Sequence, residues 1–458
     1  MRMPLPPLLL PVETRVRELD AKLLLAAACA ERGFRVLLGS RGEMHQAVAE
    51  FPAGFYFAKD LHVSSRRMHR ILRALGHRIV ACDEEGLVRD GDDRYRKLRV
   101  DGQVLRGCEA VFCWGEDDAR ALRDHPDAAG RALLVTGNPR LDLLRSELVG
   151  LFRPEVEQIR ARFGRPVLLN TSFGHLNHVQ PSLSIETSRA PRGREVQHAL
   201  LRESAAFRRQ IFEGFLALVP RLASALPELV FVVRPHPAES PLPWREAARG
   251  LPNVRVVGEG NVVPWLLASR ALIHSGCTTA VEAFVLGTPV FSFRPVASAR
   301  YDRPLPEALS RPLRGAGEAL AALRALLRGE PAPPLDAGAR ALAGRHLAAL
   351  DGAFASDRIA ETLAGLAASP APRALPSRTE RWRGALHARA RSLVARRLRL
   401  RFSRGKNAAY QQHRFPDLGL GELEARAQRL SKVLGRFHGL RIEPHARNLF
   451  WISPGTVA

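Results

Sequence analysis

Two kinds of apolar pattern alternate along the chain. Short unbroken runs (LLLPV near the start, FRVLLGS, HRIVAC, AVFCWGE and ALLVTGNPR) have strand length and end in glycine or charge. Between them lie stretches with apolar residues at helical spacing. VRELDAKLLLAAACAERG stops at Gly33, SSRRMHRILRALG opens on serines and closes at Gly76, and EDDARALRD follows AVFCWG. Strands without polar alternation, separated by helices, predict a parallel sheet covered on both faces.

The pattern then restarts. GRPVLLNTS, LVFVVRPHP, VRVVGEG, RALIHSG and TPVFSF read as strands. A long amphipathic segment, VQHALLRESAAFRRQIFEGFLALVPRLASAL, follows the first, and a helix from Thr278 or Thr279 precedes the last. The expected fold class is α/β, with two Rossmann-like domains facing a central cleft and a basic helical C-terminal extension. The expected boundaries are 1–145, 146–366 and 367–458. TGNPRLDLLRSELVG, near 136–150, is the hinge, and SPAPRALPSRTERWRG is the linker to the extension.

Charge changes the picture only locally. The 458 residues carry a formal net charge of +23, which raises nucleic acid or an anionic membrane as partners. Only five of the 69 basic residues are lysines, so arginine is used almost throughout. That bias, beside abundant alanine, leucine and glycine, resembles a GC-rich coding background, and local clusters carry more meaning than the total. Residues 378–406 hold eleven basic residues against one acid, with Trp382, Leu386, Leu393 and Leu400 near helical spacing. This predicts a basic amphipathic helix and peripheral attachment to an anionic membrane surface. No nucleic-acid recognition motif appears and few aromatics interleave the arginines, so nucleic acid is not an expected partner. Five scattered cysteines (29, 82, 108, 113, 277) lack metal-ligand spacing, so neither disulfides nor a metal site is expected. The N-terminal apolar run is too short to span a bilayer, and a cytoplasmic location, peripheral to the inner membrane, is the expectation.

Three polar clusters lie at expected strand ends, where ligands of open α/β sheets gather. Asp83, Glu84 and Glu85 follow HRIVAC, and Gly86 lets the backbone turn there. Crowded carboxylates should raise at least one pKa toward a value useful for proton transfer. Arg234 and His236, each followed by proline, close LVFVV and suggest a site for an anion. In ALIHSGCTTAVEAF, Ser275, Gly276, Thr278 and Thr279 would form a phosphate cradle at a helix start. Glu282, one turn in, could accept bonds from ribose hydroxyls. Asn138, in the hinge, is an accessory candidate. The set suits transfer from a nucleotide-activated group, with a carboxylate as base or nucleophile and His236 at the departing phosphate.

PVETRVRELDAKLLLA, GHRIVACDEEGLV, VTGNPRLDLL and VVRPHPAE resemble the bacterial surface carbohydrate biosynthesis proteins, over about residues 8–365. The chain is also similar to GT-B glycosyltransferases that use CMP-activated ulosonic acids such as sialic acids and Kdo, the sugars of capsule and lipopolysaccharide. Their acid-acid-Gly, His-Pro and Ser/Thr motifs match Glu84-Glu85-Gly86, His236-Pro237, and Ser275 with Thr278-Thr279. The resemblance implies a GT-B-like, metal-independent glycosyltransferase without a cofactor. Its donor would be a CMP-linked nucleotide sugar, and its acceptor a glycan or lipid-linked glycan. It further implies a carboxylate of the first motif as base or nucleophile, Glu84 being favoured, His236 on the CMP phosphate, and the hydroxyls on the nucleotide. The alternatives are a UDP-N-acetylglucosamine epimerase relative, another UDP- or CDP-dependent enzyme of that fold, and a nucleic-acid-binding protein.

Overall fold

The structure, a computed structural model, describes residues 5–190, 195–369, 376–402, 412 and 414–455, with backbone alone for 395–402. Residues 370–375 of the expected linker, 403–406 of the basic segment and the Leu400 side chain lie outside the described residues. The chain forms two α/β units that are discontinuous in sequence. One comprises Met1–Leu87, Arg99–Leu151 and Arg345–Ala458, the other Val88–Leu98 and Phe152–Gly344. Three consecutive domains do not describe this arrangement: a short excursion joins the second unit, and everything after Gly344 returns to the first.

The first unit is built on β1 (Leu8–Val12), β2 (Val36–Ser40), β3 (Phe55–Ala58), β4 (Arg78–Ala81), β5 (Ala110–Cys113) and β6 (Ala132–Val135), all mutually parallel. Their order is β2-β1-β3-β4-β5-β6, so the winding reverses between β1 and β3. The second unit contains β7 (Val167–Asn170), β8 (Phe231–Arg234), β9 (Val254–Val256), β10 (Ala271–His274), β11 (Val290–Phe293) and β12 (Arg311–Leu313). Its order, β12-β11-β10-β7-β8-β9, is the doubly wound Rossmann arrangement, reversing between β7 and β10. The expected α/β class with two Rossmann-like sheets is what the chain adopts.

The apolar strands are buried on both faces for a visible reason. In the second unit Leu169, Phe231, Val233, Ile273 and Phe291 pack into one core with the helix Ala205–Ala225. Leu168, Val232, Leu272 and Val290 pack into the other with Ile159, Phe163 and Trp265. Alternate residues of each strand feed opposite cores, as the two-residue repeat of a strand requires.

Several elements lie outside the sequence expectations. Phe55–Ala58 and Arg311–Leu313 are strands, and the long amphipathic segment is two helices, Glu195–Glu203 and Ala205–Ala225. Within the expected helical extension, Arg378–Phe402 and Leu420–Leu434 are helices as anticipated. Residues 441–453, however, form the strands β13 (Arg441–Ala446) and β14 (Leu449–Ser453). β14 pairs antiparallel with β2, so the hairpin caps an edge that the parallel sheet would leave open. Gly39 makes this approach possible, since a Cβ there would sit 1.9 Å from the Asn448 carbonyl oxygen.

The expected hinge at 136–150 acts as an anchor inside the first unit. Asn138 caps the short helix Pro139–Asp142 through Arg140 N. The fully buried Asp142 carboxylate accepts from Ala355 N (2.8 Å), Ser356 N (2.9 Å) and Ser356 Oγ (2.7 Å), at the start of the helix Ala355–Ala368. Burial pushes its carboxyl up to about 6, against those three donors. Asp142→Ala would leave buried amides unpaired, and a loss of about 2–4 kcal/mol is expected in urea unfolding, with Asp142→Asn losing less.

Candidate functional site

At a point where strand order reverses, the crossovers leave in opposite directions and the strand tips remain uncovered, so ligands settle there. In the second unit those tips belong to β7 and β10. β7 ends in Asn170-Thr171-Ser172 and β10 in His274-Ser275-Gly276. The Ser172 and Ser275 hydroxyls lie 3.4 Å apart across the reversal. Beside them the Asn170 Oδ1 is buried with no hydrogen-bond partner among the described residues. A buried acceptor without a donor is costly, and a ligand hydroxyl or amine would relieve it.

The loop after β10 is rigidly held. His274 is fully buried. Its Nδ1 accepts from Gly276 N (2.8 Å), and its Nε2 meets Ser310 Oγ (2.7 Å). Burial, aided by the Arg303 charge, pushes its pKa down to about 3, so the ring stays neutral. Gly276 adopts φ +79°, a left-handed conformation that favours glycine, and its carbonyl accepts from Arg303 Nη1. Cys277 Sγ lies 2.6 Å from Thr279 Oγ1. The helix begins at Thr279, one of the two expected starts, and Thr278 makes no side-chain cap. Glu282 is buried one turn in. Cations gather near this loop. The charge of Arg303 and then burial lower the Arg208 pKa to about 9, so the two guanidinium groups repel within the unit. Phe207 packs on Tyr301 at 5.7 Å, which brings the same two segments together. Repelling cations beside a Gly-Ser loop suit an anion.

His236 sits next to β7, at the end of β8, and is exposed. Its Nδ1 accepts from Ala238 N (3.2 Å), so in the neutral ring the proton resides on Nε2, a donor. The residue that shapes this turn is Glu239, which the sequence reading missed. Its buried carboxylate accepts from Thr171 Oγ1 (3.0 Å), Phe173 N (2.8 Å), His236 N (3.2 Å) and Trp244 Nε1 (3.3 Å). It thereby ties the loop after β7 to the His236 turn. Arg234, paired with His236 in the sequence reading, points elsewhere. Its Nη1 and Nη2 donate to the carbonyls of Glu259 (2.9 Å) and Gly260 (3.0 Å), and it stacks on Trp265. Arg234 holds the loop after β9.

In the first unit the acids follow β4, and here the structure corrects an expectation. The three carboxylates are each neutralised by cations, with Arg99 shared between Asp83 and Glu85. Glu84 is buried, 2.5 Å from Lys22 Nζ, with Asn138 Nδ2 donating at 3.3 Å. Burial alone would raise its pKa, but the Lys22 charge and hydrogen bond, with Arg140 and Asn138, hold it below the usual value. Asp83 accepts two bonds from Arg99, at 2.6 and 3.0 Å. Glu85 is the exposed member, between Arg17 (3.1 Å) and Arg99 (3.3 Å). Burial opposes its ionisation, yet those arginines hold it well below the carboxylate range. Neither glutamate of the pair is raised toward neutrality, and the favoured Glu84 is walled in. The solvent-facing acid is Glu85.

At the reversal between β1 and β3 lies a further cluster that the sequence reading missed. Glu13 pairs with Lys59, with Arg41 (2.8 Å) and with Arg414 (3.0 Å). Lys22 and Lys59 are two of only five lysines in an arginine-dominated chain, and both are buried. That departure from the chain's own bias was the available signal. Among the described residues no group of three His, Cys, Asp or Glu is arranged to hold a metal ion, and no helix is long and apolar enough to cross a membrane.

No family model matches the chain, and no curated protein matches it. Among solved structures it is similar to UDP-GlcNAc 2-epimerase from Neisseria meningitidis bound to UDP-GlcNAc, at 13% identity, 78% of this chain, 99% of that chain and TM-score 0.45. The Methanocaldococcus jannaschii UDP-GlcNAc 2-epimerase in complex with UDP-GlcNAc and UDP shares 9% identity over 78% of this chain and 99% of its own, with TM-score 0.49. The wall teichoic acid polymerase TagF with CDPG shares 11% over 80% and 89%, also at 0.49. Identities of this order speak to the fold alone, and at these TM-scores no functional argument rests on them.

Two measurements test these assignments. Lys22→Met should lower stability by about 3–5 kcal/mol by stranding a buried carboxylate, and Lys22→Met/Glu84→Leu should recover most of it in thermal unfolding. For Glu239, burial lifts the folded pKa from an ordinary 4.5 to about 7. Its contribution is therefore fully favourable below 4.5 and declines as pH rises to about 7. Relative to Glu239→Gln, the native protein should lose about 3 kcal/mol of unfolding free energy across that window.

Proposed function

We propose that the chain is a glycosyltransferase of surface polysaccharide assembly whose second unit holds the phosphate of a nucleotide sugar. The observation that carries this reading is the β7/β10 reversal, with two facing serine hydroxyls, a buried Asn170 oxygen without a partner among the described residues, and the exposed His236 just past the adjoining strand. Ser275 and Thr278–Thr279 bind phosphate or ribose oxygens, and Arg303 and Arg208 supply positive charge. The motif resemblance makes the donor a CMP-linked ulosonic acid, such as Kdo or a sialic acid, and the acceptor a glycan or lipid-linked glycan. In the reaction the bond from the sugar to the phosphate oxygen breaks and its electron pair leaves with CMP. His236 Nε2–H steadies the charge that develops there. The acceptor hydroxyl oxygen forms the new glycosidic bond, and its proton passes to a carboxylate. Among the motif acids the exposed one is Glu85, which can take the proton only once Arg17 or Arg99 has released it. Glu84 serves instead to position the turn.

A nucleotide-sugar epimerase would use the same strand tips, and donor turnover without acceptor, giving an epimerised sugar nucleotide, would favour it. Thermal shifts with CMP, CDP, UMP and UDP separate the donors. A cytidine nucleotide at a hundredfold its Kd should stabilise the fold by about 2.7 kcal/mol, whereas a response to UDP alone would overturn the CMP assignment. His236→Ala should cost about 10²–10³-fold in transfer while leaving the melting temperature in place, since the ring is exposed. Full activity in that variant would remove His236 from the mechanism.

A further inference from the structure

The helix Arg378–Phe402 packs one side against the helices Arg66–Ala74 and Arg41–Ala47. Gly384 lies against Ala74, where a Cβ would come within 2.9 Å of the alanine Cβ. Ala388 and Ser392 are buried, and Arg391 Nη1 donates to the His45 carbonyl at 3.2 Å. At 3.6 residues per turn these four residues share one side of the helix. Trp382, Leu386 and Leu393 share the opposite side, within about 40° of one another. They are exposed by 67%, 51% and 59%, and Val394 beside them by 56%. Four large apolar side chains turned away from the fold are an interaction surface, not packing left incomplete.

The flanking charge identifies the partner. Arg378, Arg381, Arg383 and Arg389 are all exposed on this helix, with Glu380 as the one acid between 378 and 394. A second copy docking here would bring eight guanidinium groups together, and nucleic acid would engage the arginines without needing tryptophan and leucine outward. An apolar ridge bordered by arginine matches the surface of an anionic bilayer, where phosphate headgroups meet the cations and the ridge enters the acyl boundary. We propose that the outward face of residues 378–394 docks the protein on an anionic lipid membrane. This holds whichever reaction the chain performs.

Trp382 provides a specific readout, because the other four tryptophans, 114, 244, 265 and 451, are buried. With the full chain, vesicles of phosphatidylglycerol and phosphatidylcholine should blue-shift the tryptophan emission and carry the protein upward in flotation. Phosphatidylcholine alone should do neither. Trp382→Phe should abolish the spectral shift while flotation persists. Arg381→Gln/Arg383→Gln/Arg389→Gln should weaken binding by about fivefold per arginine, on the order of a hundredfold in total. Leu386→Ser/Leu393→Ser should weaken it by about tenfold or more. All of these positions face outward, so unchanged melting temperatures confirm that the variants fold. Equal binding to neutral and anionic vesicles would overturn the proposal. So would the absence of a spectral shift in the native protein, or duplex DNA binding tighter than vesicle binding and indifferent to the leucine substitutions.

Discussion

A parallel strand can pass the chain to its neighbour only through a crossover, so every strand of such a sheet releases its chain at the same edge. In both units this constraint decides where polar chemistry can stand. The strands are apolar along most of their length, and polar residues gather at their last positions and just past their ends. Glu13, Lys59 and Asp83–Glu85 occupy these places in the first unit, and Asn170, His236 and Ser275 in the second. Where the winding reverses in the second unit, the buried Asn170 oxygen has no hydrogen-bond partner among the described residues.

The two units handle charge differently at those edges. The first neutralises its carboxylates one by one, Glu84 with Lys22, Asp83 with Arg99, and Glu85 with Arg17 and Arg99. Such pairing makes a stiff turn and strong anions, and it works against a base of near-neutral pKa. The second unit leaves cations near one another and buries an acid, Glu239, behind the loop that carries its histidine. Two neighbouring guanidinium groups, only partly offset by Asp90, Asp302 and Glu307, suit a phosphate that arrives and departs.

The C-terminal segment joins these themes to the surface. Its hairpin closes the open edge of the first sheet beside β2, and Asp142 fastens the start of the returning chain. The basic helix between them packs one side against two helices of the first unit, and its apolar ridge at 382–394 faces outward. A segment that reads as an appendage is therefore partly a structural member of the first unit.

Apolar runs such as LVFVVR and ALIHSG were sufficient to place strands, because burial on both faces selects apolar residues along most of their length. The prolines around His236 likewise marked a strand tip, since two prolines one residue apart remove two ladder donors together. The three motifs were legible for the same local reason. Tertiary structure decided what those motif residues face. Glu84 became an ion-paired turn residue because Lys22 arrives from a helix sixty residues earlier, and Arg234 turned to the carbonyls of a loop after β9. Glu239, the β14 pairing and the crossing of residues 88–98 into the second unit were equally invisible. Secondary structure answers to near neighbours along the chain, whereas a carboxylate's charge, partner and exposure are set by groups that only folding brings within a few ångströms.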